Sequence, residues 1–292
     1  MQTSLLEKHR AKLFGIAYRM LGTVTDAEDV VQEAYLRWQQ SNNQQTIGNI
    51  EAYLVTVTTR LCIDHLKSAR VNREHYIGPW LPEPLIGAAR SEPDVQQELA
   101  ETLSYAFMML LEQLNPVERA VYILREAFDF KHHEIAKILG RSPADSRQLS
   151  RRAKANLSHH EKRFEAADND QEQLFTHFLD AASGNDLQPL FDFLAEDITL
   201  YTDGGGKVRA ALRALHGKDR VIHFIQRALQ QQDPDSEINI CRVNGQPALK
   251  LTLQSQIVGI ITLQFVRGLV QQLFIVRNPD KLKSVNRRHL IQ

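Results

Sequence analysis

The amino-acid sequence predicts a multidomain protein in which two all-α helical units precede an α+β domain. Up to about Phe164 the apolar residues recur at helical spacing, whereas beyond Ile198 they gather in short runs rich in Val, Ile, Leu and Thr. Two stretches break the pattern. Ile77 to Pro93 (IGPWLPEPLIGAARSEP) holds four prolines and two glycines, and proline removes the backbone donor that a continuing helix needs. Glu165 to Gln173 is nearly all polar and suits a domain junction. The expected division is a helical domain over 1–75, a Pro-rich linker over 76–106, a second helical domain over 107–164, an α+β domain over 171–277 and a basic tail over 278–292.

Composition bounds the function classes. The chain has 292 residues, 35 Lys+Arg against 35 Asp+Glu, and 43% hydrophobic residues. That balance excludes collagen-like, disulfide-scaffold and wholly disordered chains and leaves ample apolar surface for a core in each domain. No window approaches the roughly 18 apolar residues of a membrane span, and the N-terminus is charged where a signal peptide would be apolar. A cytoplasmic protein with no membrane partner is expected. The two cysteines, Cys62 and Cys241, lie far apart, so the sequence offers neither a disulfide framework nor metal-ligand spacing. No metal or cofactor is expected.

In the first helical domain, Leu13, Phe14, Ala17, Tyr18 and Leu21 share a helix face that ends near Gly22. Thr25 with Glu28 three residues on predicts a capping box opening a second helix. There Val30, Val31, Ala34, Tyr35 and Trp38 face a core, leaving an acidic ridge of Asp26, Glu28, Asp29, Gln32 and Glu33. A third helix from about Ile50 buries Leu54, Val57 and Leu61, then turns basic with Arg60, Lys67, Arg70 and Arg73. Aromatic rings that could stack on unpaired bases are few, mainly Tyr53 beside Trp38.

The second helical domain is more specific. Helices are expected over Met108 to Leu114, Pro116 to Phe128 and His132 to Leu139, with Gly140 as a left-handed stop. Ser142 then fits an N-cap, Pro143 the first helical position and Asp145 the third. A helix starting so soon after the last one ends is a helix-turn-helix. In its second helix Leu149, Ala153 and Leu157 repeat every four residues, which turns Arg147, Gln148, Arg151 and Lys154 outward. Arginine matches guanine bidentately in the major groove, glutamine matches adenine, and lysine finds phosphate. From Arg141 to Arg163 there are seven basic residues against two acidic ones, and His159 and His160 extend the patch.

In the last part, a helix carrying Leu174, Phe175, Phe178 and Leu179 leads to a short one around Leu187 to Leu194, a strand over Ile198 to Thr202 and a helix over Lys218 to Leu229. Ile238 to Val243 and Ala248 to Leu253 form a hairpin about Asn244-Gly245, the type I′ pair. Ile257 to Phe265 and Leu269 to Val276 add two strands. The tail after Val276 carries Arg277, Lys281, Lys283, Arg287 and Arg288 against Asp280 alone, which reads either as a solvated terminus or as a basic arm.

Asp26 to Glu33 (DAEDVVQE) followed by Trp38, and Leu114 to Leu157 with its EIAKILGRSP core and downstream Arg152-Ala153, resemble regions 2 and 4 of bacterial extracytoplasmic-function (ECF) sigma factors of the sigma-70 family. The resemblance implies that Asp29, Gln32 and Glu33 dock on core RNA polymerase. It implies that the third helix, with Arg60, Lys67 and Arg70, grips the minus-ten element of promoter DNA. Arg147, Gln148 and Arg151, with Lys154 beside them, would face the minus-thirty-five element. The order of elements in the last domain resembles the SnoaL-like α+β cone. Trp80 to Leu85 (WLPEPL, with Trp80, Leu81 and Pro82), Asp203-Gly204-Gly205-Gly206-Lys207 and Asn278-Pro279-Asp280-Lys281 together look like the subfamily with a fused SnoaL-like extension. That resemblance implies an intramolecular contact of the extension with the sigma units and regulation in cis.

A chain of zero net charge has little long-range attraction for DNA, so docking on polymerase first would make two weak DNA contacts avid. Two other readings stay open. A one-component regulator sensing a small ligand in the cone pocket would share the helix-turn-helix, but would bind an operator without polymerase, as a symmetric dimer. An enzyme domain fused to a DNA-binding module would use Asp203, His216 and His223 as acid and base, although no nucleophile or metal set accompanies them and catalysis is not expected.

Overall fold

The structure, a computed structural model, describes residues 2–41, 48–73, 76–86, 104–161, 168–182 and 188–289. The chain divides into two compact units, Met1–His75 with Met108–His160, and Tyr76–Phe107 with Glu161–Gln292. The helical segments expected as two domains thus form one unit. The described part of the expected linker falls with the C-terminal domain.

The first unit contains α1 (Gln2–Leu21), α2 (Val24–Gln40) and α3 (Ile50–Arg73), followed by α4 (Tyr105–Leu111), whose first three residues are assigned to the second unit, then α5 (Pro116–Glu126), α6 (His132–Leu139) and α7 (Pro143–Glu161). Leu13, Ile16 and Met20 of α1, Val31, Ala34 and Trp38 of α2, and Leu54 and Val55 of α3 are buried together. Helix α2 begins two residues earlier than expected. Thr23 is its N-cap, and the Thr23 hydroxyl donates to Asp26, so Thr25 and Glu28 form no capping box. Trp38 is 5% exposed, which removes it from any base-stacking role and makes it a core residue. Asn115 caps α5, its Oδ1 accepting from the amides of Val117 and Glu118, with Pro116 at the first helical position where a missing N–H costs nothing.

Contacts among the described residues join the two helical groups of this unit, among them Arg19 over the Phe128 ring at 5.2 Å. The Arg119 guanidinium donates to the Met20 carbonyl at 2.8 Å. The Arg60 Nε donates to the Ile138 carbonyl at 2.9 Å. Lys12 lies over the Phe130 ring at 4.9 Å.

The second unit is α+β: α8 (Asp168–Ala182), α9 (Gln188–Asp192), β1 (Leu194–Asp203), β2 (Leu215–His216), α10 (Lys218–Gln230), β3 (Glu237–Val243), β4 (Gln246–Leu253), β5 (Gln256–Val266), β6 (Leu269–Val276) and α11 (Pro279–His289). The six strands run in the order β2-β1-β6-β5-β4-β3. One sheet relation is not antiparallel: β1 pairs parallel with β6, in register Tyr201 to Phe274 and Asp203 to Val276. The hairpin turn is as expected, with Asn244 at φ 52° and Gly245 at φ 77°. Phe175, Phe178, Leu190, Phe191, Ile198, Leu200, Val221, Leu263, Phe265 and Leu273 form the core between helices and sheet.

The expected basic arm is a helix over Pro279–His289. Leu282 and Val285 of α11 are 2% and 3% exposed, and the Asn286 side chain both accepts from the Ile257 amide and donates to its carbonyl. Burying one apolar stripe holds the helix on β5, so the boundary at 277 and the solvated tail do not hold.

Candidate functional site

The helix-turn-helix is built by local chemistry. Gly140 ends α6 at φ 64°, ψ 41°, a left-handed conformation that costs glycine nothing. The Ser142 Oγ accepts from the Asp145 amide at 3.0 Å, and the Asp145 carboxylate accepts from the Ser142 amide at 3.3 Å. This reciprocal cap starts α7 within three residues of the end of α6. The same bonds hold the Asp145 carboxyl below the usual carboxylate range. His132, at the start of α6, places its Nδ1 3.1 Å from the Ser146 Oγ. Burial, then Arg125 and Arg147, keep that imidazole below its ordinary pKa.

Helix α7 buries Ser146, Ser150, Ala153 and Leu157. Leu149, expected in the core, is only half-buried because the two serines take the inner positions. Small residues there let α7 lie close to the helices it packs on. Arg147, Gln148, Arg151 and Lys154 are all exposed on the other side. Lys154 bonds Glu126 of α5 at 2.8 Å, an exposed pair worth about 0.2–1 kcal/mol.

The second unit carries a buried polar hub. Because β1 and β6 are parallel neighbours, their C-terminal ends lie side by side, and the segments that follow, Asp203 to Lys207 and Asn278 to Lys281 at the start of α11, meet. The side chain of Asp203 is fully buried. Its carboxylate accepts from the Tyr76 hydroxyl at 2.6 Å, the Leu81 amide at 2.9 Å, the Gly205 amide at 3.0 Å and the Lys281 ammonium at 2.7 Å. Lys281 also donates to the Leu81 carbonyl and lies over the Trp80 and Tyr76 rings at 4.2 and 5.0 Å. The Asn278 side chain donates to the Tyr76 hydroxyl at 2.8 Å.

Leu81, Pro82, Glu83 and Pro84 are buried against this hub. Farther along, the Leu85 amide donates to the Asn244 Oδ1 at 2.9 Å, the Asn244 amide donates to the Leu85 carbonyl at 2.8 Å, and Ile86 bridges to Val243. Gly205 and Gly206 have positive φ of 60° and 70°. A Cβ at Gly205 would overlap the Asn278 carboxamide, and one at Gly206 would meet the Ile77 side chain at 2.8 Å. The glycines are the condition for this loop to close on the extended segment. Lys207 pairs with Asp280 at the start of α11.

Comparison with known proteins decides between the readings. The chain matches the sigma-70 region 2 family model over residues 5–71 and the sigma-70 region 4 model over residues 104–157. It is 35% identical to the ECF RNA polymerase sigma factor SigJ of Mycobacterium tuberculosis, covering 96% of this chain and 93% of that protein. The chain belongs to the ECF sigma factors. It is also 30% identical to a probable ECF sigma factor of the same organism, SigI, over 94% of this chain and 92% of the relative. The crystal structure of M. tuberculosis SigJ superposes with a TM-score of 0.77 at 32% identity, covering 96% of this chain and 97% of that one.

In this sigma factor the residues expected to dock on polymerase lie on α2: Asp29 and Gln32 are exposed, and Glu33 is half-buried and pairs with Arg37 at 2.8 Å. A surface cleft of about 310 Å³ beside them is lined by Arg10, Phe14, Glu28, Val31, Gln32 and Tyr35. Of the residues expected on the minus-ten element, Lys67 is exposed and bonds Asp64 at 3.2 Å, and Arg60 is engaged by the Ile138 carbonyl. The side chains of Arg70, Arg73, His159 and His160, with Lys162 and Arg163, lie outside the described residues.

Asp203, weighed as a catalytic acid or base, has its carboxylate occupied by four donors, while His216 and His223 are exposed and His216 bonds Thr199 at 3.1 Å. The structure does not bring the three together through any contact. Tyr76 and Asn244 were missed in the sequence. A tyrosine opening a proline-rich stretch and an Asn-Gly turn each read as purely local features. No described helix is long and apolar enough to cross a membrane.

Proposed function

We propose that this sigma factor recruits core RNA polymerase through the Asp29, Gln32 and Glu33 ridge and reads the minus-thirty-five element with Arg147, Gln148 and Arg151. Lys154 exchanges Glu126 for a phosphate, and Arg60, Lys67 and Arg70 hold the minus-ten element. The observation that supports the reading face is that α7 leaves all four of its expected DNA side chains exposed while burying the opposite stripe. The cleft beside Gln32, lined by Phe14, Val31 and Tyr35 together with Glu28 and Arg10, offers both apolar surface and charge to a helix of the polymerase. The protein acts in the cytoplasm, without catalysis of its own.

Promoter engagement requires the first unit to open. The two promoter elements lie roughly 25 base pairs apart, about 85 Å at 3.4 Å per base pair, whereas Arg60 of α3 is hydrogen-bonded to α6 in the same unit as the helix-turn-helix. With its Nε held by the Ile138 carbonyl, Arg60 stays tied to α6, and parting the two helices frees α3 to follow the minus-ten element. The C-terminal domain acts in cis on this opening by holding residues 76–86, the start of the chain between the two promoter-reading segments, through Asp203, Lys281 and Asn244. No small ligand is needed for that role, because the hub is a closed set of protein groups. The test is transcription by reconstituted holoenzyme with Asp203→Asn. The yield of promoter-specific transcript should change severalfold with unchanged start sites, and an unchanged yield would remove the regulatory role.

A further inference from the structure

The C-terminal domain carries a second basic surface that the sigma reading does not use. Between residues 204 and 232 stand six basic residues, Lys207, Arg209, Arg213, Lys218, Arg220 and Arg227, against the single acidic Asp219. In a chain whose charges cancel overall, this is a local excess equal to that over the helix-turn-helix.

Helix α10 buries Val221 and packs Ile222, Phe224 and Ile225 against the core. Arg220, His223 and Arg227, spaced three and four residues apart, share one exposed stripe on the helix. Gln231 continues it, and its Oε1 accepts from the Arg209 guanidinium at 3.0 Å, which fixes Arg209 at the C-terminal end of the same stripe. Exposed Gln226 and Gln230 flank it. Lys207 and Lys218 are matched by Asp280 and Glu196, but among the described residues no carboxylate is in ion-pair distance of Arg209, Arg213, Arg220 or Arg227.

We infer that this stripe is a sequence-independent contact for the phosphates of duplex DNA. A guanidinium grips a phosphate with two parallel bonds, and glutamine amides add neutral donors. A duplex carries a negative charge about every 1.7 Å of its axis, so a stripe of about 10 Å from Arg220 to Arg227, at 1.5 Å rise per residue, faces several of them. A protein-docking surface would centre on a buried aromatic or aliphatic anchor, whereas the stripe's own positions are Arg, His, Arg and Gln. The inference stands independently of the sigma assignment, since it needs only this domain and DNA.

The test uses the full-length protein and a fluorescent duplex of random sequence, with affinity followed by anisotropy against KCl concentration. The Arg209→Gln/Arg220→Gln/Arg227→Gln variant should lower the slope of log K against log salt by about two to three, at roughly 0.9 for each phosphate no longer neutralised, and weaken binding at least tenfold at low salt. An unchanged slope overturns the inference. A second measurement keeps the native charges: a photoreactive amino acid at Gln226, in the complex of full-length protein, core polymerase and promoter, should crosslink to a DNA strand. Crosslinks confined to a polymerase subunit would mark the stripe as a protein surface and overturn it equally.

Discussion

The Lys281 ammonium lies 2.7 Å from the Asp203 carboxylate, with the two side chains 8% and 0% exposed. Two charges so withdrawn from water are stable only because each is also met by other partners: Tyr76, Leu81 and Gly205 on the acid, the Leu81 carbonyl and two aromatic faces on the base. The pair therefore couples three stretches distant in sequence. It is the point at which 76–86 is tied to the C-terminal domain.

Removing one partner should leave an uncompensated buried charge. Asp203→Ala or Lys281→Met is expected to destabilise the second unit by about 3–5 kcal/mol, and the double variant by less than the sum of the two. Chemical denaturation followed through Trp80 fluorescence measures this cycle.

Tyr76 gives a pH signature. Burial first, then the bond it donates to Asp203, push its phenol well above the ordinary value of 10. A group whose pKa is higher in the folded state contributes stability that is present below the unfolded pKa and lost as pH rises beyond it. The stability difference between wild type and Tyr76→Phe should be constant at neutral pH. Above about pH 10 it should move against the wild type, as unfolded Tyr76 ionises. Melting temperatures of both proteins from pH 7 to 11 check the sign.

Gly205→Ala should destabilise the second unit by about 1–3 kcal/mol, since the added methyl meets the Asn278 carboxamide at a positive φ. Gly48→Ala, where a Cβ meets nothing within 4 Å and φ is not positive, should lie within about 0.5 kcal/mol of wild type. Thermal unfolding of the two variants provides the comparison.

Charge reversal at the reading face separates recognition from recruitment. Arg147→Glu or Arg151→Glu should reduce promoter-specific transcripts at least a hundredfold while leaving core polymerase binding within twofold. Run-off transcription together with size-exclusion of the polymerase complex checks both halves.

The sequence disclosed most where structure is local. Gly140, Ser142, Pro143 and Asp145 act within six residues of one another, so the helix-turn-helix and its exposed face were legible from the residues themselves. The hairpin at Asn244-Gly245 was legible for the same reason. Long-range relations were not. The parallel pairing of β1 with β6 brings Asp203 beside Asn278 and Lys281, and no spacing in the chain announces it. The tail read as a basic arm because its charges outnumber the two apolar residues, Leu282 and Val285, that dock it. Trp38 read both as a core-facing residue of α2 and as a ring beside Tyr53, and its burial shows the first reading to hold.

The most direct measurement is run-off transcription from a library of promoter fragments with purified core RNA polymerase and the full-length protein. Transcripts with defined start sites are expected only when both are present. Absence of any such transcript, with the protein alone binding a specific operator sequence, would contradict the proposed function.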